Sequence, residues 1–71
     1  MPGSESRWNV VQLSTGNVHE RVTTTKAKAL LLARKTGDPD RDSHIDYCIH
    51  RLDFEDIAEI WAGGHRIIKV Y

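Results

Sequence analysis

Residues 44–52, HIDYCIHRL, alternate with period two. Ile45, Tyr47 and Ile49 form one set; His44, Asp46, Cys48 and His50 form the other. Successive side chains on a strand project to opposite faces, so the pattern predicts a half-buried strand with its apolar set turned toward helices. The polar set then meets either solvent or a ligand. The alternation predicts a sheet with one dry and one wet face, with the other segments arranged around it.

The chain has 71 residues, too few to divide a core, so one domain is expected over residues 7–71. Apolar burial and chain entropy nearly cancel at this length, which makes a homodimer a way to gain stability. Residues 1–6, MPGSES, carry no apolar run and read as a flexible tail rather than a secretory signal. No stretch approaches the roughly 20 apolar residues of a membrane span. One cysteine excludes an internal disulfide and fits a reducing compartment. A soluble, cytoplasmic protein is therefore expected.

From the N-terminus, residues 7–13 (RWNVVQL) predict a strand of ambiguous register, because either Trp8 and Val10 or Val11 and Leu13 could face inward. Ser14-Thr-Gly-Asn17 predicts a turn, and residues 18–23 a returning strand with Val18 and Val22 on one face. Thr24 or Thr25 can cap a helix over residues 26–35, with Ala27, Leu30 and Leu31 inward and Gly37 and Pro39 as its stop. After the strand at 44–52, Asp53 reads as the N-cap of a second helix. Phe54, Ile57, Ala58 and Trp61 fall at helical spacing, and Gly63-Gly64 ends the run. Residues 65–71, rich in β-branched side chains, predict the last strand. The expected fold is α+β: a two-layer sandwich in β-β-α-β-α-β order, with one short mixed sheet and two helices on one face. Trp8, Trp61, Tyr47 and Phe54 read as core rather than site, and of the aromatic residues Trp8 and Tyr71 are the ones that could be exposed instead.

Three groups of residues could carry function. The first is the polar set His44, Asp46, Cys48 and His50. Imidazole and thiolate suit zinc, but a straight strand spreads these groups, so His19 or His65 would have to join them; an exposed polar sheet face is the plainer reading. The spacing Asp38-x-Asp40-x-Asp42-x-x-x-Asp46 echoes a calcium loop, yet Ser43 stands where glycine is needed and Ile49 where glutamate is needed. No cofactor is expected. The second group is basic: Arg21, Lys26, Lys28, Arg34 and Lys35, with no acid among them between positions 21 and 35. Such cations could meet nucleic-acid phosphates. Zero net charge and the lack of a helix-turn-helix or aromatic sheet signature argue against it. The third group is acidic: Asp38, Asp40, Asp42, Asp53, Glu55, Asp56 and Glu59.

No catalytic constellation is present. Cys48, Ser14 and Ser43 have no converging base, and the chain offers little volume for a deep pocket. The residues favour a non-enzymatic protein-binding module of inhibitor or adaptor type, a profile shared with many small phage-encoded proteins by analogy alone. Its acidic side would meet a partner's basic patch. Nucleic-acid binding through the basic helix is the second reading, and a metal site on residues 44–50 the third.

Overall fold

The structure, a computed structural model, describes residues 6–54 and 57–71. It is a small α+β domain: one four-stranded antiparallel sheet and two helices. The elements are β1 (Arg7–Gln12), β2 (Val18–Thr23), α1 (Thr24–Leu32), α2 (Pro39–Arg51), β3 (Glu59–Ala62) and β4 (His65–Val70). The strand order across the sheet is β2-β1-β4-β3, with every neighbouring pair antiparallel. The order is therefore β-β-α-α-β-β, which corrects both the expected order and the expected mixed sheet. The tail expected over residues 1–6 lies, save Ser6, outside the described residues.

The largest correction concerns residues 44–52. They belong to helix α2 and its C-terminal turn, not to a strand. Ile45, Cys48 and Leu52 recur at three- and four-residue spacing and are the buried positions, while Tyr47 is exposed. The helix signals lie just upstream. The Asp38 carboxylate accepts the Asp40 N–H at 3.1 Å, Pro39 occupies the first turn, and Asp40 and Asp42 sit at the positive end of the dipole. His50 and Arg51 occupy the last turn, where cations are favoured. A thirteen-residue helix with both ends satisfied overrides a short alternation that fits either period.

The second correction follows. The helix expected from Asp53 is absent over the described residues: Asp53 lies in the turn after α2, and 59–62 form β3. Gly63 and Gly64 have φ of 57° and 76° and join β3 to β4. Two consecutive left-handed residues in a two-residue loop make the hairpin turn whose twist matches its strands.

The first hairpin matches expectation, with Gly16 at φ 76° in its turn. Its register slips between Trp8 and Val10, where Arg21 takes φ 53° and its N–H binds Asn9 Oδ1 at 2.9 Å. This β-bulge changes the phase of β2. Val22 lies opposite Trp8 on the helix side, whereas Val18 lies opposite Val11 on the other side, so the two valines do not share a face. Helix α1 is capped by the hydroxyl of Thr23, one residue earlier than expected.

Both helices pack on one face. Trp8, Val10, Ile67 and Ala62 from the sheet meet Ala27 and Leu31 of α1 and Ile45 and Cys48 of α2, with Leu52 closing the end. Trp8 is fully buried and its indole N–H donates to Thr24 Oγ1 at 2.9 Å, so of its two readings the core one holds, whereas Trp61 and Tyr47, read as core, are exposed.

Candidate functional site: the uncovered face of the sheet

The pairing registers define the face turned away from the helices. Val18, Val11, Arg66 and Trp61 form one row across the four strands. Asn9, Ile68 and Glu59 form the next row, and Thr23, Arg7 and Val70 a third. Among the described residues no element covers this face. Its chemistry is mixed, with aliphatic residues between cations at its centre and an aromatic residue at its edge.

Trp61 stands out there at 55% exposure. Alternation along β3 sends Ile60 and Ala62 toward the helices and leaves Glu59 and Trp61 on the open side. The indole is held on two sides. Its N–H donates to Glu59 Oε2 at 2.6 Å, and the Arg66 guanidinium lies over the ring at 5.3 Å from the centroid. Arg66 Nε also donates to Glu59 Oε2 at 2.6 Å. The Arg66 and Trp61 hydrogen bonds hold the Glu59 carboxyl below the usual carboxylate range. One carboxylate thus positions an aromatic ring and a guanidinium together. The helical stripe Phe54-Ile57-Ala58-Trp61 obscured this arrangement. The signal that could have revealed it is Glu-x-Trp ahead of Gly63-Gly64 and Arg66, a strand pattern once the glycines are read as a hairpin.

The acidic residues that the structure describes do not lie on one element. Asp38, Asp40 and Asp42 cluster at the N-terminus of α2, Asp53 follows its C-terminus, and Glu59 lies on the sheet. A helix of thirteen residues is about 20 Å long, which separates the two ends. Glu55 and Asp56 lie outside the described residues. Several carboxylates have structural partners. Asp42 accepts the Thr36 and Gly37 N–H groups at 2.9 and 2.8 Å, and these bonds, first that from Thr36, hold its pKa below the ordinary value. They close the α1–α2 linker, where Gly37 takes φ 92°. Asp38 caps α2.

The basic residues of α1 are partly drawn toward α2. Lys28 pairs with Asp53 at 2.7 Å and Lys35 with Asp46 at 2.9 Å. Arg34 Nε donates to Gly63 C=O at 3.0 Å. Arg21 sits in the β2 bulge and Lys26 in the first turn of α1. The five cations are thus distributed over a helix, its C-terminal turn and a sheet edge.

The helical path also separates the third group. His44 Nε2 and Cys48 Sγ lie 3.6 Å apart, one turn from each other, but Cys48 is buried and its thiol is raised by desolvation. Asp46 and His50 are exposed elsewhere on the helix. Among the described residues no three His, Cys, Asp or Glu side chains gather closely enough to hold a metal ion. No helix among them is long and apolar enough to cross a membrane.

No family model matches this chain, and no curated protein or solved structure matches it either.

Proposed function

We propose that this chain is a small non-enzymatic protein-binding module, of inhibitor or adaptor type, that meets its partner through the uncovered sheet face. The observation that carries the reading is Trp61, half-exposed and held by Glu59 and Arg66. Tryptophan and arginine are the residues most enriched at energetic centres of interfaces. An anchor already fixed in one rotamer loses less side-chain entropy on binding. Around it, Val11, Val18, Ile68 and Val70 offer apolar contact area.

Two cations, Arg7 and Arg66, stand among these aliphatic residues, and Glu59, the carboxylate beside them on β3, is already bonded to Arg66. The complementary partner is a protein surface with an apolar centre and carboxylates beside it. This reading moves the contact surface away from Asp38, Asp40, Asp42 and Asp53, which lie at the two ends of α2, and keeps only Glu59 of the acidic set. The basic reading loses support, because Lys28 and Lys35 are engaged by carboxylates of the same chain.

The test compares baits in nuclease-treated lysate of the source cell, followed by calorimetry with the purified captured protein. Trp61→Ala and Arg66→Ala are expected to weaken binding at least tenfold, while Asp40→Asn, which leaves the Asp38 cap in place, keeps it within about twofold. Loss with the aspartate variant and retention with Trp61→Ala would move the interface to the helix end.

A further inference from the structure

The sheet has two edges, and they are built differently. Edge strand β2 carries the bulge at Arg21 and the polar run His19, Glu20, Arg21. Bulges and charged side chains are the ordinary means of blocking edge-to-edge pairing. Edge strand β3, Glu59–Ala62, has no bulge, proline or lysine; its one charged side chain, Glu59, is engaged by Trp61 and Arg66 on the open face, and its register with β4 is unbroken.

The backbone of β3 can be followed group by group. The Lys69 N–H donates to Ala58 C=O at 2.8 Å, so residues 58 and 69 form a hydrogen-bonded pair. Antiparallel ladders alternate bonded and non-bonded pairs, which makes 60:67 and 62:65 the next bonded pairs. The N–H and C=O groups of Glu59 and Trp61 therefore point away from β4, toward the edge that no described strand pairs.

We infer that two copies of this chain join through β3, antiparallel about a two-fold axis at Ile60, to make one eight-stranded sheet. In this register Glu59 of each copy lies opposite Trp61 of the other. Both residues have outward-pointing backbone groups, so two bonded pairs and four hydrogen bonds form. Ile60 meets its own counterpart on the helix side. On the open side each indole N–H and Arg66 guanidinium approaches a second carboxylate, the same partnership that Glu59 already makes within one chain. The strand is thus its own complement in charge and in backbone pattern, as a two-fold interface requires. An axis normal to the sheet keeps both pairs of helices on one side and merges the two uncovered faces.

A four-residue edge buries less than the roughly 1,200–2,000 Å² of tight complexes, so the dimer is a weak one. Sedimentation equilibrium of the full chain, from about 10 μM to about 1 mM, reads it directly. The average mass is expected to climb from 8.1 kDa toward twice that value. Trp61→Pro, which removes an outward N–H that β4 does not use, should hold the mass at 8.1 kDa with a native amide spectrum. Trp61→Ala keeps the N–H and should still associate. A wild-type mass of 8.1 kDa throughout, or Trp61→Pro associating like wild type, would overturn the inference. Should Trp61→Pro not fold, hydrogen exchange in the wild type decides. The Glu59 and Trp61 amides must slow by at least about threefold on concentration, and unchanged rates refute the β3 junction. No second protein is present in these measurements, so their outcome is independent of partner capture.

Discussion

Trp8 fills the space between sheet and helices, and its indole N–H reaches Thr24 Oγ1, so one side chain ties β1 to the first turn of α1. Truncating a buried tryptophan costs about 3–5 kcal/mol. A chain of 71 residues has a total stability of roughly 4–11 kcal/mol. Trp8→Ala should therefore remove a large share of that stability and lower the melting temperature by circular dichroism, and a wild-type melting curve would refute its place in the core. His65 offers a second test. It is 5% exposed, and its Nδ1 has no partner of good geometry. Burial first, then the Arg34 charge, pushes its pKa below the ordinary 6.5, with a weaker contribution from His19 and an opposing one from the Gly63 backbone. The unfolded chain then binds the proton more readily than the folded one. Stability is full above pH 6.5 and falls as pH drops through the folded pKa. Urea unfolding should show lower stability at pH 5 than at pH 7.5, a difference that shrinks in His65→Leu. Equal differences in the two proteins would remove His65 as the cause. This window lies above that of Asp42 and Glu59, whose lowered pKa values confer stability lost only at more acid pH.

At the scale of elements, the two hairpins and α1 follow from local chemistry, and the first hairpin and α1 were legible as such. Gly16 and Asn17 between two β-branched runs read as a hairpin, and KAKALLLARK read as a helix. The middle of the chain was not legible, for a definite reason. In HIDYCIHRL the apolar residues Ile45, Ile49 and Leu52 satisfy helical spacing, while Ile45, Tyr47 and Ile49 satisfy alternation. Only Asp38-Pro39 upstream separates the two readings, and Pro39 served equally well as the stop of the preceding helix. With 44–52 as a strand, Phe54-Ile57-Ala58-Trp61 reads as a helix by succession and Gly63-Gly64 as its terminator. The uncovered face with Trp61 was invisible for the same reason. The bulge at Arg21, which rephases β2, has no signal in its residue types. The β3–β4 turn can be tested through Gly63, where an added Cβ would lie 3.0 Å from Arg34 Cβ at φ 57°. Gly63→Ala should cost about 1 kcal/mol or more by urea unfolding. Unchanged stability would mean that the turn is not left-handed at that position.

For the molecule as a whole, the layering decides what is available to a partner. Two helices seal one face of a four-stranded sheet, and no described element covers the other. The acidic and basic segments, separate in the sequence, partly neutralise each other where Lys28 meets Asp53 and Lys35 meets Asp46. What remains outward is a face with aliphatic residues, two arginines and one fixed indole. The chain has two tryptophans, and the layering assigns them opposite environments: Trp8 at 0% exposure and Trp61 at 55%. The most direct measurement is acrylamide quenching of fluorescence in the two single-tryptophan variants. Trp61→Phe, which retains Trp8, should emit at short wavelength and resist quenching. Trp8→Phe, which retains Trp61, should emit further to the red and be quenched strongly. A protected Trp61 beside an accessible Trp8 would contradict the arrangement of the sheet described here.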